Sequence, residues 1–172
     1  APGEILKGVS KALSKQPDCR VVLLGNKEVL EEGVKQYNLP MDRVELAATT
    51  QVITNEESPV KAVSGKKDSS LVAGMRLVRE GKAQAFVSAG STGAVLVGGQ
   101  TIVGRIKGVL RPPLAPVIPT DKGPALLVDC GANVDAKAAN LVQFARMGSI
   151  YMEKVLGIKN PRVAIVNIGA EE

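Results

Sequence analysis

Ser88, Gly90, Ser91, Thr92 and Gly93 stand together in the run Ala85-Phe86-Val87-Ser88-Ala89-Gly90-Ser91-Thr92-Gly93-Ala94-Val95-Leu96. A short apolar run ends at Ser88, and a longer run of small and apolar residues follows Gly93. That pattern predicts a buried strand, a tight turn and a helix starting near Ser91 or Thr92. Glycines at 90 and 93 would let the backbone approach a bound group closely. The first turn of a helix leaves N–H groups unpaired, and its dipole favours negative charge. With two hydroxyls beside them, these groups form a cradle for a phosphate-like anion. The alternative is a strand-to-helix turn capped by its own Ser or Thr.

A second cluster is Asp129-Cys130-Gly131-Ala132-Asn133-Val134-Asp135. It follows an apolar run, so it is expected at the carboxyl end of a strand, the edge where open α/β sheets bind ligands. There Asp129 could orient a donor or take a proton, and Asn133 could donate to an oxyanion. The alternative is an Asx turn leading into the next helix. Cys130 invites an acyl-cysteine mechanism, but no histidine is present to activate it, and a small inert thiol is the commoner role. Lys66 and Lys67 form a third cluster ahead of a predicted helix, either aimed at a phosphate or at an acidic carrier, or simply solvated.

Composition narrows the chemistry. The chain has 172 residues and no histidine, which excludes Ser-His-Asp and Cys-His catalysis and any histidine-held metal. The two cysteines, Cys19 and Cys130, lack metal spacing and suggest no disulfide framework. A reducing, cytoplasmic setting is expected, with no metal and no cofactor. The net charge of +5 favours an acidic protein, a phosphate or an anionic membrane as partner. Nucleic acid is not expected, because no basic tract is interleaved with aromatics. The spacing Gly90-Ser91-Thr92-Gly93 also lacks the G-x-G-x-x-G of dinucleotide sites.

Elements that would position these clusters follow from periodicity. Apolar residues make up 45% of the chain and aromatics 2%, so Val, Leu, Ile and Ala must fill the core, as in parallel sheets covered by helices. Helices are expected over residues 1–15 (Ile5, Val9, Ala12 and Leu13 inward) and 27–37 (Val29, Leu30 and Val34 inward). Another should start at Pro59, and one capped by Ser69 or Ser70 should run to about Glu80 with Leu71, Met75 and Val78 inward. Further helices are expected from Ser91 or Thr92 to about Val103 or Arg105, and over 140–156, with Leu141, Phe144, Ala145, Gly148, Met152 and Val155 on one side. Gly98-Gly99 should mark a close helix contact. Strands are expected at 21–24, 44–47, 85–88, 125–129 and 163–167. The alternation of strand and helix implies a parallel sheet in an α/β fold, with residues 1–172 forming one domain.

Six ordered motifs carry a resemblance: Ser58-Pro59-Val60-Lys61-Ala62, Lys66-Lys67-Asp68-Ser69-Ser70, Phe86 to Gly93, Gly104-Arg105-Ile106-Lys107-Gly108, Asp129 to Asp135, and Asn167-Ile168-Gly169. In them the chain resembles the bacterial phosphate acyltransferases of phospholipid synthesis, the PlsX type, over essentially its whole length. The resemblance implies a doubly wound, three-layer α/β/α fold akin to isocitrate dehydrogenase and phosphotransacetylase. It also implies transfer of a fatty acyl group from acyl carrier protein to inorganic phosphate, a homodimer, and a cytoplasmic enzyme touching the membrane peripherally through parts outside this chain. Lys67, Asp129, Asn133 and Asn167 are the catalytic candidates, and Ser88, Gly90, Ser91, Thr92 and Gly93 the expected phosphate site. Ser91 stands where the family more usually has Asn.

Family members begin with an earlier strand and an Asp-Ala-Met-Gly-Gly-Asp loop. They continue into helices that build the acyl pocket, so the chain is expected to be part of a longer enzyme. Direct attack of phosphate on the thioester is the expected mechanism, since positioning suffices for a good nucleophile. Two other readings stay open: a phosphotransacetylase-like enzyme using acyl-coenzyme A, and a non-catalytic phosphate- or nucleotide-binding module.

Overall fold

The computed structural model describes residues 2–167. The chain divides into two compact units, Ala1–Gly104 and Arg105–Glu172, and its secondary structure is α/β.

In the first unit, α1 (Pro2–Lys15) leads to β1 (Val21–Gly25), α2 (Lys27–Gln36) and β2 (Val44–Ala48). The two strands pair in parallel, with Val21 opposite Val44 and Gly25 opposite Ala48, as the strand-helix-strand alternation predicts. Asn26 caps α2 by accepting the Val29 N–H at 3.1 Å. Leu6, Leu13, Leu23, Leu30, Leu39 and Val44 form the core between these elements. The inward faces differ from the expected ones: α1 buries Leu6 rather than Ile5, which is 48% exposed, and Ala12 is exposed as well. In α2, Val29 is 41% exposed. The reason is a close helix crossing: a Cβ at Gly33 would lie 2.2 Å from Leu6 Cδ1, so the Gly33 side of α2 rests on the Leu6 side of α1.

The same unit continues through α3 (Pro59–Gly65), α4 (Ser70–Arg79) and α5 (Thr92–Gly98), and then a π-helical turn, Gly99–Val103. Ser69 is the cap of α4, accepting the Val72 N–H at 3.3 Å, and Gly81 ends the segment with φ +71°. Val63, Leu71, Val72, Met75 and Ala94 make a second core, with Phe86 packed against it. A Cβ at Gly98 would lie 2.3 Å from Met75 Sδ, which is the close helix contact expected of Gly98-Gly99.

The run 85–88 is not a strand. It is irregular, and Val87 is 93% exposed. Strands exist through a neighbour's N–H and C=O groups, and among the described residues no strand is bonded to this run.

In the second unit, β3 (Val117–Thr120) and β4 (Gly123–Leu126) form an antiparallel hairpin, followed by α6 (Ala138–Lys154). Thr120 pairs with Gly123, leaving Asp121 and Lys122 as the two turn residues, and Gly123 has φ +109°. The expected buried strand at 125–129 is therefore shorter, antiparallel and largely exposed, because its partner is the adjacent β3. Phe144 and Met152 are buried on α6, while Leu141 and Val155 are exposed. Gly157, with φ +70°, ends the segment. Residues 163–167 form no strand and are exposed. Ile168 and Gly169 of the last motif lie outside the described residues.

Candidate functional site

In the first unit the Ser88–Gly93 turn is built by its own side chains. The Ser88 hydroxyl accepts the Gly90 N–H at 3.1 Å. Buried Ser91 is the cap of α5: its hydroxyl oxygen accepts the Ala94 N–H at 3.3 Å, and its carbonyl accepts the Val95 N–H at 3.0 Å. The Thr92 and Gly93 N–H groups precede the first intrahelical bond, and the Thr92 side chain is exposed. The groups left for an anion include the Thr92 and Gly93 amides and the Thr92 hydroxyl. Gly93 is required by packing, since a Cβ there would lie 2.7 Å from Pro59 Cγ at the start of α3. At Gly90 a Cβ would meet only the Ser88 hydroxyl, at 3.2 Å.

The two lysines before α4 have different fates. Lys66 is half-buried, donating to the Val52 carbonyl at 2.6 Å and pairing with Glu57 at 2.7 Å. That lysine's hydrogen bond, with one from the Thr54 N–H, holds the Glu57 carboxyl below its ordinary range. Lys67 is exposed, and among the described residues its ammonium pairs with no carboxylate. Asp68 accepts the Thr50 N–H at 2.9 Å and the Thr50 hydroxyl, and the latter leads in lowering its pKa. Lys66 and Asp68 therefore fasten the loop after β2, while Lys67 between them is left available. An open depression of about 380 Å³ is lined by Glu57, Ser58, Lys61, Ala62, Gly65 and Lys66. The Glu57–Lys66 pair escaped the sequence reading, although a carboxylate just before a Pro-started helix and a lysine just after it were the available signal.

In the second unit the carboxylate of Asp129 is saturated. Its Oδ1 accepts the Leu114 N–H at 2.7 Å and the Ala132 N–H at 3.2 Å. Its Oδ2 accepts the Asn133 N–H at 2.7 Å and the Asn133 side-chain amide at 3.1 Å. Partial burial pushes the carboxyl up, but the Leu114 N–H, the Asn133 side chain and the Asn133 and Ala132 N–H groups outweigh it, and the net shift is downward. Asn133 Nδ2 also donates to the Pro112 carbonyl at 3.2 Å. The Asx-turn alternative describes this loop: it closes on itself and clamps the 112–114 segment. Cys130 is exposed. Asn167 is exposed in an irregular segment. The structure thus joins Asp129 to Asn133, and gathers Ser88, Gly90, Ser91, Thr92 and Gly93 in one turn.

Among the described residues no helix is long and apolar enough to cross a membrane. Residues 1–172 match the family described as "Fatty acid synthesis protein", and the chain belongs to that family. It is 50% identical over 172 residues to the phosphate acyltransferase of Alkaliphilus oremlandii, covering all of this chain and 51% of that protein. It is 48% identical to the phosphate acyltransferase of Halothermothrix orenii, covering 52% of it, and 48% identical to that of Clostridioides difficile, covering 51%. The chain spans about half the length of the curated relatives it matches.

Proposed function

We propose that the full-length protein transfers a fatty acyl group from acyl carrier protein to inorganic phosphate, releasing an acyl phosphate for phospholipid synthesis. The observation that carries this is half-identity, unbroken over the whole chain, to proteins named phosphate acyltransferase. The chemistry fits a chain without histidine: phosphate is its own nucleophile, and a thioester needs only to be held and polarised. One phosphate oxygen attacks the thioester carbonyl carbon, the tetrahedral oxyanion collapses, and the carrier's thiolate leaves. The Thr92 and Gly93 amides and the Thr92 hydroxyl hold phosphate in the Ser88–Gly93 turn, with Lys67 supplying a cation. Asp129 and Asn133 fix the shape of their loop, and Asn167 offers a carboxamide to the oxyanion.

In this reading residues 1–172 belong to one doubly wound, three-layer α/β/α domain of a longer enzyme. That enzyme is a homodimer, working in the cytoplasm and touching the membrane through residues outside this chain.

The test mixes full-length protein, acyl carrier protein thioester and phosphate, and looks for acyl phosphate. Formation from the carrier thioester supports the reading. Formation only from acyl-coenzyme A replaces the donor, and phosphate binding without product reduces the protein to a binding module.

A further inference from the structure

We infer that the loop Arg105–Arg111 is the surface on which the acidic carrier protein docks. The inference rests on the reaction proposed above and adds to it the place where the donor protein sits.

Charge points to the loop first. No Asp or Glu occurs between Glu80 and Asp121, whereas Lys82, Arg105, Lys107 and Arg111 all fall in that interval. Among the described residues, no carboxylate pairs with Arg105 or Lys107, whereas Lys82 is matched by Glu80 at 2.7 Å and Arg111 by Asp135 at 3.1 Å. Between these cations stand two exposed aliphatic side chains, Ile106 at 79% and Leu110 at 50% exposure. An exposed aliphatic residue flanked by unmatched cations suits an acidic partner with apolar spots.

Rigidity is the second observation. The Val109 N–H donates to the Ile106 carbonyl at 3.0 Å, and the Arg105 guanidinium donates to the Leu110 carbonyl. From α6, Gln143 grips the loop twice: its side-chain amide donates to the Gly108 carbonyl at 2.9 Å and its oxygen accepts the Leu110 N–H at 2.9 Å. The Asp129–Asn133 loop holds the far end, where the Cys130 N–H donates to the Leu114 carbonyl at 2.8 Å and Asn133 reaches Pro112. A loop presented in a fixed shape loses little entropy on binding, which favours a specific protein partner. A bilayer gains about 1 kcal/mol per cation near its surface, so two unmatched cations and one aliphatic tip make a weak membrane anchor.

Full-length protein titrated with fluorescently labelled acyl carrier protein tests this. Binding should weaken about tenfold or more between low and physiological salt, and again about tenfold in Lys107→Glu, while Lys107→Arg stays within about twofold of the parent. Gln143→Leu should weaken it too, with the loop ungripped. An unchanged thermal midpoint in Lys107→Glu shows that the surface, not the fold, was altered. The inference is overturned by a parent protein that does not bind the carrier, or by Lys107→Glu binding it within twofold of the parent. It is also overturned if that variant loses only attachment to vesicles of phosphatidylglycerol and phosphatidylcholine. Carrier binding by a protein that forms no acyl phosphate would remove the reaction and keep the docking surface.

Discussion

The Ser88–Gly93 turn and the Asp129–Asn133 loop are both short polar segments, and they use their side chains in opposite ways. In the first, two serine hydroxyl oxygens accept N–H groups of their own turn, and the Thr92 hydroxyl and the Thr92 and Gly93 amides are among the groups left uncommitted. In the second, one carboxylate takes four donors and one carboxamide nitrogen spans two acceptors, so the Asp129 carboxylate is fully used. Lys66 and Lys67 repeat the contrast within two residues, one bound to Glu57 and one available. A group tied into several local hydrogen bonds is scaffold, and a neighbour that the scaffold leaves unpaired is where a ligand gains most.

Substitutions can break this contrast, and the largest effect should fall on activity. Lys67→Ala in the full-length enzyme should lower kcat/KM for phosphate by about 100-fold, as loss of a charge partner to a developing anion does, with the thermal midpoint unchanged. A matched fall from Lys66→Ala with intact stability would erase the distinction between the two lysines. Next comes Asp129→Ala, which strands four donors and should cost about 2 kcal/mol in denaturant unfolding. Activity lost without that instability would return Asp129 to the role of proton acceptor. Gly93→Ala should cost about 1–2 kcal/mol, since its methyl group meets Pro59. Ser91→Ala should cost about 1 kcal/mol through the lost cap.

The smallest effect is one of pH. Because the Asp129 carboxyl is held low in the folded protein, its contribution is complete above its unfolded pKa, near 3.9. It is lost as pH falls through the lower folded value. Stability of Asp129→Asn measured from neutral pH downward should therefore decline less steeply below about pH 4 than that of the parent.

Local signals were legible in the sequence where they act alone. Ser69 and Ser91 cap helices within three residues, so no distant partner is needed. The parallel pairing of β1 and β2 also followed from alternation. Where a partner decides, the sequence misled. Ala85–Ser88 and Val163–Asn167 have the composition of buried strands, yet composition cannot supply the neighbouring edge that makes a strand. Leu126 joined an antiparallel hairpin because Val117 lay closest along the chain. At the candidate site, residue types marked the two turns, but only hydrogen-bond geometry separated committed groups from available ones. Asp129 and Lys67 look equally reactive in the sequence, and only the former is saturated.

The notch at Gly33 reaches beyond the helix pair it joins. Because Leu6 fills the space a side chain would need there, α1 cannot slide along α2 without withdrawing that leucine. The two positions form a lock and its key, so a change at one is felt at the other. Gly33→Ala should be better tolerated alongside a trimmed partner such as Leu6→Ala, and the pair should show a coupling that neither single change foretells.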